Sequence, residues 1–93
     1  MLKPHTLEEQ AEVLKALAHP ARLCIVKGLL DKGKSNVTYM QHCMNLPQST
    51  ISQHIARLKS AGIIYGTRKG LEIQYEVVSQ PAIKIVNAIF SEE

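Results

Sequence analysis

The sequence predicts a mainly α-helical fold carrying one small β-hairpin, an α+β arrangement. Three observations predict it. Apolar residues recur at helical spacing up to Ser60. After Gly62 the period becomes two: Leu71, Ile73, Tyr75 and Val77 alternate with Glu72, Gln74, Glu76 and Val78. Helical spacing then returns after Ser79. At 93 residues the chain is expected to form one domain over 1–93. A domain of this size buries a modest core, and oligomerisation commonly supplements it.

Thr6 to Ala18 reads as the first helix, with Thr6 as N-cap and Glu9 completing a capping box. Glu8, Glu9 and Glu12 sit near its positive end. Leu7, Ala11, Leu14 and Ala18 form one apolar stripe, which Val13 and Leu17 widen towards a second contact. Pro20 opens the next helix behind His19, and the helix runs to about Asp31. Leu23, Ile25, Val26, Leu29 and Leu30 cover more than half its circumference, which marks it as the buried centre. Arg22 falls inside that arc, and Cys24 and Gly28 fall opposite. Gly33 ends the helix.

Lys34-Ser35-Asn36 reads as a loop, with Asn36 capping a short third helix from Val37 to Met44. Asn45-Leu46-Pro47 is a tight connection into a fourth helix that Ala61-Gly62 closes. Pro47 suits its first turn. A short helix, a three-residue turn and a second helix with a polar face make a helix-turn-helix unit. Ile63 to Thr67 then reads as a strand, Arg68-Lys69-Gly70 as a dicationic turn, and Leu71 to Val78 as the return strand. Ser79 and Pro81 open a last helix to about Phe90. The whole order is that of a winged helix-turn-helix. The last helix is apolar on two sides through Ile83, Ile85, Val86, Ile89 and Phe90, and the first is broad too. Terminal helices with a spare apolar face imply a homodimer through the first and last helices.

On the fourth helix Ile51, Ile55 and Leu58 share one side. Ser49, Gln53, Ala56, Arg57 and Ser60 share the other, with Ser52 at its edge. That face is polar, cationic and free of acids, and such side chains can bond to base edges and phosphates. The charge distribution agrees. Net charge is +3, yet no acid lies between Lys32 and Leu71, a window holding six cations. The remainder carries five bases against eight acids. A positive middle between negative ends is the footprint of a polyanion-binding surface. The expected DNA contacts are Gln48, Ser49, Ser52, Gln53, His54 and Arg57 on the helix and Arg68 and Lys69 on the wing. A packed position beside Ile51 is the alternative for His54.

Composition excludes other classes. The chain is 45% hydrophobic and 20% charged, which is globular. No apolar run is long enough to span a membrane, and no apolar stretch follows the start as in a signal peptide, so a cytoplasmic protein is expected. Cys24 and Cys43 are then expected as thiols. They are small apolar fillers or candidate redox thiols of a switch. Catalysis is not expected, because Ser52 and His54 lie too close along one helix and lack an orienting acid.

Ala16-Leu17-Ala18-His19-Pro20-Ala21-Arg22-Leu23 resembles the helix start of a known family. Gln48-Ser49-Thr50-Ile51-Ser52-Gln53-His54-Ile55, followed by Leu58-Lys59-Ser60-Ala61-Gly62-Ile63-Ile64, resembles its recognition helix and strand start. The family is the ArsR/SmtB-type transcriptional repressors, and the likeness covers about residues 10–78. It implies a dimer built through the first and last helices that binds a palindromic operator in double-stranded DNA, usually to repress. Many members release DNA on binding metal, through a Cys-x-Cys near the third helix or through His and Asp pairs on the last. Here the matching positions are Asn36-Val37-Thr38, and Ser79 to Phe90 holds neither His nor Asp. No metal or other cofactor is therefore expected. Leu46 to His54 and Lys69 to Tyr75 look like the metal-independent PagR-type branch. The competing readings are a winged helix that binds a protein partner instead of DNA, and a metal-responsive repressor with an atypical site. The cationic window favours DNA, since protein interface cores are depleted in charge. No effector, small molecule or oxidant, is identified by these residues.

Overall fold

The computed structural model describes residues 4–91, and the side chains of these except Pro4, His5, His42 and Cys43. Its elements are α1 Pro4–Leu17, α2 Pro20–Lys32, α3 Tyr39–Cys43, α4 Gln48–Ser60, β1 Ile64–Lys69, β2 Glu72–Val77 and α5 Gln80–Ile89. No helix among the described residues is long and apolar enough to cross a membrane.

Three helix starts differ from expectation, each for a local reason. α1 begins at Pro4, so Thr6 lies inside the first turn instead of capping it. Proline presets the helical φ there and lacks an N–H that would need a partner. α3 begins at Tyr39, two residues late. The Asn36 carboxamide oxygen accepts from the Thr38 N–H at 3.1 Å and from its hydroxyl at 2.7 Å, which holds residues 36–38 in a turn. In α4, Pro47 is the N-cap in extended geometry and the first helical turn starts at Gln48. The turn before it places Asn45 at φ 52, a left-handed position that asparagine tolerates.

The hairpin is antiparallel, with Arg68 opposite Ile73 and Lys69 opposite Glu72. The tip is therefore Gly70-Leu71, with Gly70 at φ 64. Arg68 and Lys69 are the last residues of β1 and not the turn itself. Ser35 is paired too: its N–H donates to the Tyr75 carbonyl at 3.0 Å and its carbonyl accepts from the Tyr75 N–H at 2.7 Å. The expected loop thus lays one residue along the free edge of β2.

The core joins all five helices to the start of the hairpin. It contains Ala21, Ile25, Val26 and Leu29 of α2, Met40 of α3, Ile51, Ile55 and Leu58 of α4, Ile63 and Ile64, and Ala82 and Val86 of α5. α1 adds Val13, Ala16 and Leu17. The other apolar stripe of α1 is left outside: Leu7 and Leu14 are each 54% exposed. Ile89 of α5 is 58% exposed. The last turn of α1 has carbonyls without helical partners. Arg22 satisfies one of them, its Nε donating to the Ala16 carbonyl.

Gly28 is where α2 meets the Tyr39 ring. A Cβ there would stand 2.5 Å from Tyr39 Cε2. The ring cannot swing away freely, because its hydroxyl donates to the Ile25 carbonyl at 2.9 Å. In an exposed helix interior Gly→Ala stabilises. Here Gly28→Ala is expected to destabilise by about 1–3 kcal/mol through overpacking, read as a lower urea midpoint at unchanged slope.

Candidate nucleic-acid interface

α4 follows α3 across the Asn45 turn and buries Ile51, Ile55 and Leu58. At 100° per residue that burial leaves a continuous outer row. Gln48, Ser49, Ser52, Gln53, Ala56 and Lys59 are all exposed on it. Gln41 of α3 donates from its Nε2 to Gln48 Oε1 at 2.7 Å, so the two helices of the motif are tied at the edge of this row. Between the row and the wing runs a groove of about 440 Å³. Ser52, Ala56 and Lys59 form its helix wall, and Leu71, Glu72 and Ile73 form its wing wall. Leu71 at the tip is fully exposed.

The structure brings four of the expected contact residues together: Gln48, Ser49, Ser52 and Gln53 share the outer row. Arg68 and Lys69 stand exposed on the wing. His54 and Arg57 sit on the flank of α4 that turns towards α1 and α2. Arg57 lies 3.5 Å from Glu12 of α1, both side chains being partly exposed. The acid-free character read from the sequence is thus modified by the fold, because a carboxylate from the first helix reaches the cationic one. Glu72 is a second acid at the groove, and it accepts from Asn36 Nδ2 at 3.2 Å.

His54 is half-buried. Its ring centroid is 4.5 Å from that of His19, and its Nδ1 is 3.3 Å from Arg22 Nη1. Burial, then the neighbouring His19, then Arg22 push the His54 pKa below the usual histidine value. Burial and then Arg57 lower that of Arg22 in the same way. His19 is the N-cap of α2, as its place before Pro20 suggests, and its Nδ1 accepts from the Ala21 N–H at 3.0 Å.

Cys24 is half-buried and more covered than its place opposite the apolar arc suggests. It lines a shallow apolar groove with Leu23, Tyr39 and Phe90, because α3 and the end of α5 close over that side of α2. Lys27, the nearby base, is ion-paired with Asp31 at 2.9 Å. The side chain of Cys43 lies outside the described residues. No three His, Cys, Asp or Glu side chains among the described residues are grouped to hold a metal ion.

Sequence reasoning passed over Glu12, Arg22, Gln41 and Lys59 as parts of the site. Arg22 had a legible signal, as the one charge inside the apolar arc of α2. Lys59 had one too, since it follows Ser52 by seven residues and so shares its face. Glu12 and Gln41 had none, because their partners are set by the packing of separate elements.

Residues 19–65 match the family described as bacterial regulatory protein, arsR family. The transcriptional repressor PagR of Bacillus anthracis is 40% identical over 87 residues, covering 90% of this chain and 87% of that one. Its crystal structure superposes with a TM-score of 0.83 at 37% identity, covering 94% of this chain and 99% of PagR. HlyU from Vibrio cholerae gives a TM-score of 0.85 at 25% identity over 96% of each chain. A solution structure from Mycobacterium bovis, described as a homodimeric winged helix-turn-helix DNA-binding domain, gives 0.78 at 26% identity, covering 94% of this chain and 80% of that one.

The Glu12–Arg57 pair is partly exposed and long, and such pairs contribute little. Glu12→Gln is expected to change unfolding free energy by less than about 1 kcal/mol, measured by urea denaturation.

Proposed function

Because the chain belongs to the arsR family of bacterial regulatory proteins, we propose that it is a DNA-binding transcriptional repressor acting as a homodimer on a palindromic operator. The observation that carries this reading is the outer row of α4. Gln48, Ser49, Ser52 and Gln53 present hydrogen-bonding groups on one face, with Lys59 beside them and the Arg68–Lys69 wing across the groove. A helix so placed fits the major groove, where Gln pairs with adenine and Ser bonds either way. The wing cations meet phosphates or the adjacent minor groove. Arg57 joins the phosphate contacts by giving up its partly exposed pair with Glu12, a loss of less than about 1 kcal/mol. His54 acts from the flank, through the elements that hold α4. No catalytic role is assigned, since His54 faces Arg22 and not Ser52.

Dimerisation uses the stripe of α1 that the core leaves free, together with the end of α5. Leu7, Leu14 and Ile89 are each more than half exposed there. A contiguous apolar face on terminal helices is covered by a second copy at low cost, and twofold symmetry then matches two half-sites. Residues 1–93 are read as one such winged-helix domain.

Selection of duplexes from a random pool is expected to return a palindrome, with affinity falling steeply as salt rises. Gln53→Ala should weaken operator binding by about 1–3 kcal/mol in a gel-shift titration and leave random-duplex binding unchanged. Failure to retain heparin or any duplex in dilute buffer would overturn the reading in favour of a protein-binding winged helix. Leu14→Glu is expected to yield monomers in sedimentation and to abolish operator binding with the fold intact by circular dichroism.

A further inference from the structure

Three side chains from three segments meet where α1, α2 and α4 converge. His19 comes from the α1–α2 junction, Arg22 from the first turn of α2, and His54 from α4. The donor inventory assigns their bonding roles. A guanidinium carries only donors, so His54 Nδ1, facing Arg22 Nη1 at 3.3 Å, is the acceptor. A backbone N–H is only a donor, so His19 Nδ1, facing the Ala21 N–H at 3.0 Å, is an acceptor as well. Nδ1 is thus the accepting atom of each ring in this arrangement. The arrangement is also directional: Arg22 is held by the Ala16 carbonyl at the end of α1 and reaches across to α4.

A second proton on His54 breaks the bond to Arg22, because it turns the acceptor into a donor facing a donor. An imidazolium would then stand beside Arg22, its centroid 4.5 Å from that of the His19 ring. The surroundings offer little to neutralise it. Glu12 of α1 faces Arg57 at 3.5 Å. Glu8, Glu9 and Lys15 of α1 are exposed. On α3, the Tyr39 hydroxyl is bonded to the Ile25 carbonyl, and the side chains of His42 and Cys43 lie outside the described residues. On β1 the charges are Arg68 and Lys69, the last two residues of the strand, with Lys69 opposite Glu72.

Resting on the assignment of α4 as the recognition helix, we infer that His19, Arg22 and His54 are positioning residues that hold α4 at its working angle only while His54 accepts from Arg22, so that operator discrimination falls on acidification. The lowered His54 pKa agrees in sign. Below the ordinary histidine value the unfolded chain binds more protons than the folded one. The cluster's contribution is thus complete above about 6.5 and is lost as pH falls through the lower folded-state value. Added positive charge also strengthens non-specific attraction to phosphates. Acid therefore lowers the ratio of operator to random-duplex affinity, and not affinity in general.

The test uses the full chain, the selected operator and a random duplex, with His19→Asn/His54→Gln as the comparison. Asn is a good N-cap, and the Gln oxygen can accept from Arg22, but neither takes a proton. In the parent the affinity ratio is expected to fall about tenfold, or about 1.4 kcal/mol, between about pH 7.5 and about pH 5.5. In the double variant it should change less than about twofold, under about a third of the parent's effect in free energy. Proton NMR of the ring Cε1–H should show His54 titrating below the ordinary histidine value. An equal fall in parent and variant, or His54 titrating at or above that value, overturns the proposal. If no protein binds any duplex at either pH, the DNA-binding reading fails instead. The ring titration and the pH dependence of the urea midpoint then still decide whether the cluster holds α4.

Discussion

Burial of Ile51, Ile55 and Leu58 sets the roll of α4 about its own axis, and nearly everything at the candidate interface follows from it. Each buried aliphatic side chain stabilises by about 1.5–3 kcal/mol. The ion pair on the flank of the same helix contributes at most about 1 kcal/mol. Packing therefore decides the orientation, and Arg57 takes whatever partner that orientation offers. With the three aliphatics inward, Gln48, Ser49, Ser52 and Gln53 must point outward. A quarter-turn of the helix would bring Ile51 or Ile55 to water and bury serine hydroxyls without partners, which is costly on both counts.

Charge follows packing in the same way. Along the chain, cations cluster in the middle and acids at the ends. The fold folds one acidic end back onto the cationic middle, so that Glu12 faces Arg57. Glu72 begins β2 opposite Lys69, yet its carboxylate is bonded to Asn36. Lys59 in the groove and Arg68 and Lys69 on the wing remain exposed. The positive surface is therefore smaller and more directional than the linear charge run suggests, which suits docking in one register better than diffuse attraction.

The first and last helices each divide their apolar residues between two contacts. In α1, Val13, Ala16 and Leu17 enter the core, while Leu7 and Leu14 stand about a third of a turn away and stay exposed. In α5, Ala82 and Val86 are buried and Ile89 is not. A chain of this length has too little interior to cover both faces. The same residues that look surplus to the subunit are thus available to a second copy, and the core itself needs none of them.

Much of the fold was legible because side-chain period is a local property of the backbone. The order of elements, the buried face of α4, the Gly62 and Gly33 helix ends and the His19 helix start could all be read from spacing and residue type. The misplaced boundaries came from competing local bonds. Asn36 turned residues 36–38 aside from α3, and Pro4 opened α1 ahead of Thr6. The paired edge residue Ser35 was invisible, since a single bridge leaves no period. By itself the sequence determined which residues each element could show to solvent, because that depends only on rotation per residue. Only the tertiary structure decided that Glu12 meets Arg57 and that His19, Arg22 and His54 converge, because contacts between distant residues depend on how helices cross, and no local pattern encodes a crossing.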